Sequence, residues 1–146
     1  MARARIDSDE HYVIDLCDEV IGERAIRQHR FEWLLGDPGK NGSSRRLPVD
    51  AFWPARKLVV EYRERQHDEP TPFFDKPSRF TVSGVHRGEQ RKLYDQRREE
   101  VIPRQGIALV LINARDLDVD QRGRLRRNRD ADLIAVRRIL DASVAR

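Results

Sequence analysis

Long apolar runs and cysteine are what this sequence lacks. None of its apolar stretches approaches the roughly 18 residues that a membrane span requires, so we expect no membrane partner. The single cysteine, Cys17, excludes an internal disulfide, and we expect it in the core. No cysteine–histidine spacing is typical of a zinc site. No apolar stretch follows Arg3 and Arg5, which argues against a secretory signal and predicts a cytoplasmic protein.

Lysine is also scarce, because 25 of the 29 basic residues are arginine and only 4 are lysine. Arginine offers paired donors that suit phosphate, although genome composition explains the same bias. The 146 residues are 37% charged and 38% hydrophobic, with a net charge of +4. This length predicts a single domain over 1–146, with its core at about 8–112 and a charged connection and C-terminal helix at 113–146.

Hydrophobic periodicity and turn residues predict seven elements. Ser8 is the expected N-cap of the first helix, and Gly22 is expected to end it. In the first strand we expect Phe31, Trp33 and Leu35 to share one face. The predicted elements are a helix at 8–21, strands at 24–35, 47–54 and 58–63, a helix at 87–102 that ends before Pro103, a strand at 106–114 and a helix at 130–144.

This order predicts an α/β fold, in which a small mixed sheet of about four strands is flanked by helices. The first three strands are joined by hairpins and are expected to be antiparallel, with a hairpin loop at 36–46. The fourth strand arrives through a helix, which permits parallel pairing with an earlier strand. The core order is helix, three strands, helix, strand. The last helix carries one apolar face, made of Leu133, Val136, Ile139 and Leu140.

The hairpin between the second and third strands has a predictable register. With a turn centred between positions 55 and 56, opposed residues have numbers that sum to 111. Trp53 then faces Leu58, and Asp50 faces Glu61 on one face of the sheet. We expect Trp53 and Tyr62 to be core residues.

Two carboxylates placed this close repel each other, so Asp50 and Glu61 need a neutralising group. A divalent cation is the economical candidate, because Mg²⁺ favours one or two carboxylates together with waters. Arg63 lies two residues beyond Glu61 on the same face. Two alternatives stay open: Asp50 lies outside the paired region, or Arg63 or Arg46 screens the acids.

Four segments together resemble the PD-(D/E)XK nuclease superfamily, in particular the branch of the very short patch repair endonucleases and their small stand-alone relatives. The segments are LPVDAFWP at 47–54, LVVEYRERQH at 58–67, YDQRR at 94–98 and GIALVLI at 106–112. The resemblance runs from about residue 10 to 112. It implies a restriction-endonuclease-like fold and metal-dependent hydrolysis of DNA phosphodiester bonds.

The resemblance also implies roles for individual residues. Asp50 and Glu61 match the ligands of Mg²⁺ or Mn²⁺, and His67 would accept a proton from the attacking water. Glu10 matches the acid on the first helix, where it would orient His67 or complete the metal site; the alternative is a helix-dipole partner. Two residues depart from the pattern: Arg63, where the superfamily has lysine and the repair-endonuclease branch has aspartate, and Glu64, where that branch has glycine. Arg63 is the departure that bears on the chemistry. It cannot act as a base, but it can stabilise negative charge on phosphate.

Other residues are candidates for contacts with nucleic acid. Gln28 matches the glutamine on the family's first strand, and Asp95 and Arg98 match a pair on the helix before the last strand. A simple surface ion pair is the alternative for Asp95 and Arg98. Clustered arginines can neutralise several phosphates, although a solvated charged loop explains them equally. The basic candidates are Arg87 and Arg91 on that helix, and Arg122, Arg124, Arg126 and Arg127 in the connection before the last helix.

The leading functional hypothesis is a Mg²⁺- or Mn²⁺-dependent endonuclease that acts on DNA. One alternative is a nuclease-fold domain that has lost turnover and binds nucleic acid. Another is a protein-interaction module that uses the aromatic, proline-rich segment at 64–85. We expect DNA as the partner and no small-molecule ligand. A homodimer is left open, because one metal site cuts one strand at a time.

Overall fold

The computed structural model describes residues 8–64 and 87–144. They form a four-stranded sheet with helices packed on both of its faces, which confirms the predicted α/β class. None of the helices in these two ranges has both the length and the apolar content that crossing a membrane requires. The elements in chain order are α1 (Asp9–Ile21), β1 (Ile26–Leu35), β2 (Arg46–Trp53), β3 (Leu58–Arg63), α2 (Arg87–Arg104), β4 (Ala108–Asn113) and α3 (Arg129–Val144).

The strands lie in the order β1-β2-β3-β4. The two hairpins are antiparallel, and β4 pairs with β3 in parallel, as predicted for a strand that arrives through a helix. Helices cover β3 on both faces, so its four residues from Val59 to Tyr62 are all buried, Glu61 among them. The fold therefore places a carboxylate in the centre of its sheet.

Two apolar clusters hold the helices to the sheet. On one face α1 and α3 pack against the sheet around Trp53, which is 1% exposed, and Tyr62. Cys17 lies in this cluster, as expected. On the other face Ile102 of α2 packs against Val59. The predicted apolar face of the last helix is confirmed: Val136 and Leu140 are buried in the first cluster, and Leu133 and Ile139 pack against it.

The caps of α1 follow the sequence signals. Ser8 Oγ accepts a hydrogen bond from the backbone N–H of His11 at 3.1 Å. Gly22 takes the left-handed conformation, with φ 81°, and its N–H donates to the carbonyl of Asp18 at 2.8 Å. These bonds fix where α1 begins, and therefore where Glu10 stands in its first turn.

The predicted alternation along β1 is wrong at its end. Leu34 is fully buried, whereas Leu35 is 39% exposed. The pairing with β2 shifts register between Arg30 and Leu35. Such an irregularity turns the following side chains to the opposite face, and a reading of strict alternation cannot anticipate it.

The end of α2 and the structure of the charged connection also differ from the prediction, and the ends of β1, β2 and β4 are displaced by one or two residues. Helix α2 does not end before Pro103 but includes it and ends at Arg104. A proline in the last turn removes a single helical hydrogen bond, and Gly106, with φ 73°, ends the turn instead. The charged connection after β4 is also ordered by a bridge between Val119 and Leu125. Of the segment at 64–85, only Glu64 belongs to the described residues.

Candidate functional site

The predicted register of the β2–β3 hairpin is confirmed. The pair Ala51–Val60 and the two pairs that follow all sum to 111. The pairing ends at Ala51–Val60, so Asp50 lies outside the paired region, as one of the two alternatives predicted. Glu61 Oε2 accepts from the N–H of Asp50 at 2.6 Å, and Asp50 Oδ2 accepts from the N–H of Tyr62 at 2.8 Å. Each acid is thus bonded to the opposite strand, and the two lie side by side.

The strand next to this pair has an unusual backbone. Gln28 has a φ of 54°, between two ordinary pairs that join Arg27 to Ala51 and His29 to Val49. A non-glycine residue in this region costs about 1–2 kcal/mol, and such strain clusters at functional sites. The conformation brings Gln28 Nε2 within 2.7 Å of Glu10 Oε2 on α1. The predicted site residue Gln28 therefore orients Glu10.

Glu10 adds a third acid to the pair. Its carboxyl group hydrogen-bonds with that of Asp50, which requires a proton on one of the two. Glu10 also lies in the first turn of α1, where it can interact with the helix dipole, as the alternative predicted. Glu10, Asp50 and Glu61 consequently form one acidic cluster, built from α1, β2 and β3.

Burial makes ionisation of this cluster unfavourable. It raises the pKa of Asp50 to about 7, and repulsion from Glu61 acts in the same direction. Burial also raises the pKa of Glu61, against the opposing effects of Arg98 and the N–H of Asp50. An added positive charge would therefore stabilise the ionised form of both acids.

Arg98 of α2 is the cation that contacts the acidic cluster. Its Nε lies 3.4 Å from Glu61 Oε1 and donates to the carbonyl of Pro48 at 3.0 Å. Its Nη1 donates to Asp95 Oδ1 at 3.0 Å. The Asp95–Arg98 ion pair exists, but both side chains are 13–14% exposed, so it is not a simple surface pair. The sequence predicts a nucleic-acid contact for Arg98, but it gives no indication of the ion pair between Arg98 and Glu61.

Arg63 lies on the face expected for it but points to α2. Its Nη1 is 3.2 Å from Glu99 Oε2, and its Nη2 donates to the carbonyl of Asp95 at 3.4 Å. The guanidinium is thus engaged by two residues of α2. The alternative in which an arginine screens the acids is met mainly by Arg98, and Arg63 adds a smaller favourable effect on the ionised form of Glu61.

Two arginines of the predicted basic connection before α3 form ion pairs. Arg127 donates twice to Asp9 Oδ1, at 3.0 and 2.8 Å, and lies 5.3 Å from the centre of the Tyr12 ring. Arg126 lies 3.9 Å from Asp118. The backbone N–H groups of Arg122 and Arg124 bind Asp120, and their side chains are exposed. Arg126 and Arg127 are therefore paired with acids, whereas the side chains of Arg122 and Arg124 are exposed.

A second basic region was missed by the sequence reasoning. A cavity of about 550 Å³ lies between the β1–β2 loop and the first turns of α2, and we call it the arginine cavity. Of the predicted basic residues, Arg87 lines it. The other arginines lie within β1, in the β1–β2 loop and at the start of β2, where no sequence pattern groups them. Its basic lining consists of Arg30, Arg45, Arg46 and Arg87.

The donor atoms of the acidic cluster suit a hard cation. Oxygen ligands favour Mg²⁺ or Mn²⁺ over softer metals, and Mg²⁺ keeps several waters. Within 8–64 and 87–144 no group of three or more His, Cys, Asp or Glu side chains is arranged to hold a metal ion. The oxygens of Asp50 and Glu61 face backbone N–H groups, which limits the protein's share of ligands. His67 lies outside the described residues.

Comparison of the chain with protein-family models, with curated proteins and with solved structures finds no match. The resemblance to the PD-(D/E)XK nucleases therefore stays a prediction from the motifs quoted above.

Proposed function

We propose that this protein is a cytoplasmic, metal-dependent endonuclease that hydrolyses DNA phosphodiester bonds. The observation that carries the proposal is the acidic cluster. Asp50 and Glu61 lie side by side in a buried part of the sheet, and Glu10 is bonded to Asp50. Side chains buried in this way destabilise the fold when they ionise, and a divalent cation relieves that effect.

Asp50 and Glu61 would hold Mg²⁺ or Mn²⁺ together with waters, and Glu10 would hold Asp50 in place. When bound, the cation would withdraw charge from a phosphate oxygen and lower the pKa of a water molecule. The chain's own contribution is orientation. Backbone N–H groups hold Asp50 and Glu61, Gln28 holds Glu10, and Arg98 keeps Glu61 in place. Fixed ligands reduce the reorganisation that the reaction requires.

Two further residues have roles in this proposal. His67 is the expected acceptor of the proton from the attacking water, because its unperturbed pKa lies near neutrality. Arg63 would stabilise negative charge on the phosphate. Its contacts with Glu99 and Asp95 hold it on the same face as Glu61, two residues further along β3.

Nicking of supercoiled plasmid DNA tests the proposal. We expect nicking by the wild type with Mg²⁺ or Mn²⁺, none with EDTA, and none by Glu61→Gln. The matched control is Glu32→Gln, which removes an equal charge from an exposed position on β1. The control should nick as the wild type does. Absence of metal-dependent cleavage by the wild type on supercoiled, single-stranded and mismatched DNA would contradict the proposal.

One observation favours a second candidate, a DNA-binding domain without turnover. Arg63 stands where the superfamily has lysine, and it is engaged by Glu99 and Asp95 of α2. Salt-sensitive DNA binding without any cleavage would select this candidate. A pure protein-interaction module would show neither DNA binding nor binding of Mn²⁺.

A further inference from the structure

The arginine cavity combines a high positive charge with a neutralised acid. Arg30 extends from β1, Arg45 and Arg46 come from the end of the β1–β2 loop, and Arg87 comes from α2. Asp37 is the acid among the described lining residues, and its Oδ1 accepts from Arg97 Nη2 at 2.8 Å. Since Arg97 compensates Asp37, the described part of the lining keeps the positive charge of its four arginines.

The frame of the cavity is held by hydrogen bonds within the loop. The N–H of Gly36 donates to the carbonyl of Arg45 at 2.9 Å, and the N–H of Gly39 donates to that of Ser43 at 2.9 Å. Tyr94 Oη accepts from the N–H of Asp37 at 2.9 Å. These bonds hold the loop in place, so it has little conformational freedom left to lose on binding.

Gly36 is required by this frame. A Cβ atom added at Gly36 would lie 2.9 Å from Tyr94 Oη, closer than real side chains approach. The loop and α2 are therefore packed together at the cavity floor. These arginines surround a cavity with a packed frame, unlike charges that are scattered over a surface.

The cavity adjoins the acidic cluster. Pro48 lines the cavity, and its carbonyl accepts from Arg98 Nε. The same nitrogen lies 3.4 Å from Glu61 Oε1. A region of four arginines and a region of three acids thus share one wall, which suits a ligand with regularly spaced phosphates.

We propose that the arginine cavity binds a backbone phosphate of the DNA strand, beside the phosphate that is hydrolysed at the acidic cluster. This inference rests on the proposed function. Guanidinium groups bind phosphate in paired hydrogen bonds, and several can share one phosphodiester. A volume of about 550 Å³ admits a group the size of a nucleotide. Asn41 and Ser43 add polar groups to the lining.

The test is binding of a short, labelled DNA duplex in EDTA, measured by fluorescence anisotropy over a range of salt concentrations. The variant is Arg45→Ala/Arg46→Ala, which keeps the backbone carbonyls that the loop uses. The control is Arg137→Ala/Arg138→Ala, which removes the same charge from exposed positions of α3. Arg87→Ala is a second cavity variant. It truncates an exposed side chain, so we expect the fold to be retained.

Truncating arginines that bind phosphate changes both the affinity for DNA and its salt dependence. We expect the double cavity variant to bind roughly tenfold more weakly or worse, because each truncated arginine removes a charged hydrogen bond. The slope of log K against log salt should fall by about 0.9 for each phosphate that is no longer neutralised. Arg87→Ala should show the single-residue effect, and the α3 control should bind as the wild type does.

Three results would overturn the inference. The wild type does not bind the duplex, the cavity and control variants bind it equally, or the cavity variant loses as much affinity for polyglutamate as it does for DNA. The last result would indicate general attraction of anions by the cavity. Failure of the proposed function can be distinguished from failure of this inference. If plasmid nicking is absent while cavity-dependent DNA binding persists, the function fails and the inference stands. If nicking occurs and cavity variants bind normally, the reverse holds.

Discussion

The arginine cavity and the basic connection before α3 are both rich in arginine, but they differ in their partners. In the connection, Arg127 is bound to Asp9, and at the start of α3 Arg129 is bound to Glu19. Around the cavity, the acid in the described lining is already compensated by an arginine outside it. The density of arginine along a sequence therefore does not measure the field that a ligand meets. Acids supplied by distant helices decide that field.

The acidic cluster and the arginine cavity should have different effects on the reaction. We expect the acids to determine turnover and the cavity arginines to determine affinity. Variants can separate these two effects, because the cavity is lined by Pro48, whose carbonyl accepts from Arg98, and by none of the three acids.

The largest expected effect is the loss of cleavage in Asp50→Asn. The amide oxygen can still accept from the N–H of Tyr62, but it lacks the charge that a cation requires. We expect nicking to fall by about 10²–10³-fold or more, while DNA binding in EDTA stays equal or becomes tighter, since a negative charge is removed. Anisotropy and plasmid nicking on the same preparation check this. Weaker DNA binding in Asp50→Asn would break the division between acids and arginines.

A second prediction concerns the stability of the metal-free protein. Asp50 has a pKa raised to about 7 by burial, above its unfolded value of 3.8. Between these values the unfolded state loses its proton first, so stability decreases as pH rises through this window and is constant beyond it. The decrease should amount to a few kcal/mol at most. Asp50→Asn should reduce this decrease, leaving the part that Glu61 contributes, and should unfold at a higher temperature at pH 8, as thermal melts in EDTA would show.

The cavity should behave differently from the acids in the same melts. Arg45→Ala/Arg46→Ala should leave the pH dependence of stability unchanged, because these exposed side chains do not contact the acidic cluster. A flattened pH profile in the cavity variant would contradict the assignment of that profile to Asp50.

The smallest expected effect belongs to the connection. Arg127→Ala removes two hydrogen bonds to Asp9 and the packing against the Tyr12 ring. Because both charged side chains are partly exposed, we expect a decrease of about 1 kcal/mol or less in the free energy of unfolding. The salt slope of DNA binding should not change. A fall in that slope as large as the one expected for the cavity variant would abolish the contrast between the two regions.

Local rules explain what the sequence could predict. The register that pairs Ala51 with Val60 follows from one short turn, and the parallel pairing of β4 follows from its helical connection. Contacts between distant segments have no such rule. Arg98 meets Glu61, and Arg97 meets Asp37, only because α2 packs across the sheet.

One buried acid had no sequence signal at all. Asp132 is fully buried in the first turn of α3. Its Oδ2 accepts from Tyr12 Oη at 2.5 Å, and its Oδ1 accepts from the N–H of Asp118 at 2.9 Å. These bonds join α1, the connection and α3, so Asp132 has a structural role. In the sequence it resembles any other aspartate near the start of a helix.

Calorimetric titration with Mn²⁺ tests most directly the claim that Asp50 and Glu61 hold a divalent cation. We expect the wild type and Glu32→Gln to bind one Mn²⁺ per chain, and Asp50→Asn and Glu61→Gln to lose that binding, with all four proteins shown to be folded by their melts. Absence of Mn²⁺ binding by the wild type, or equal binding by all four proteins, would contradict the claim.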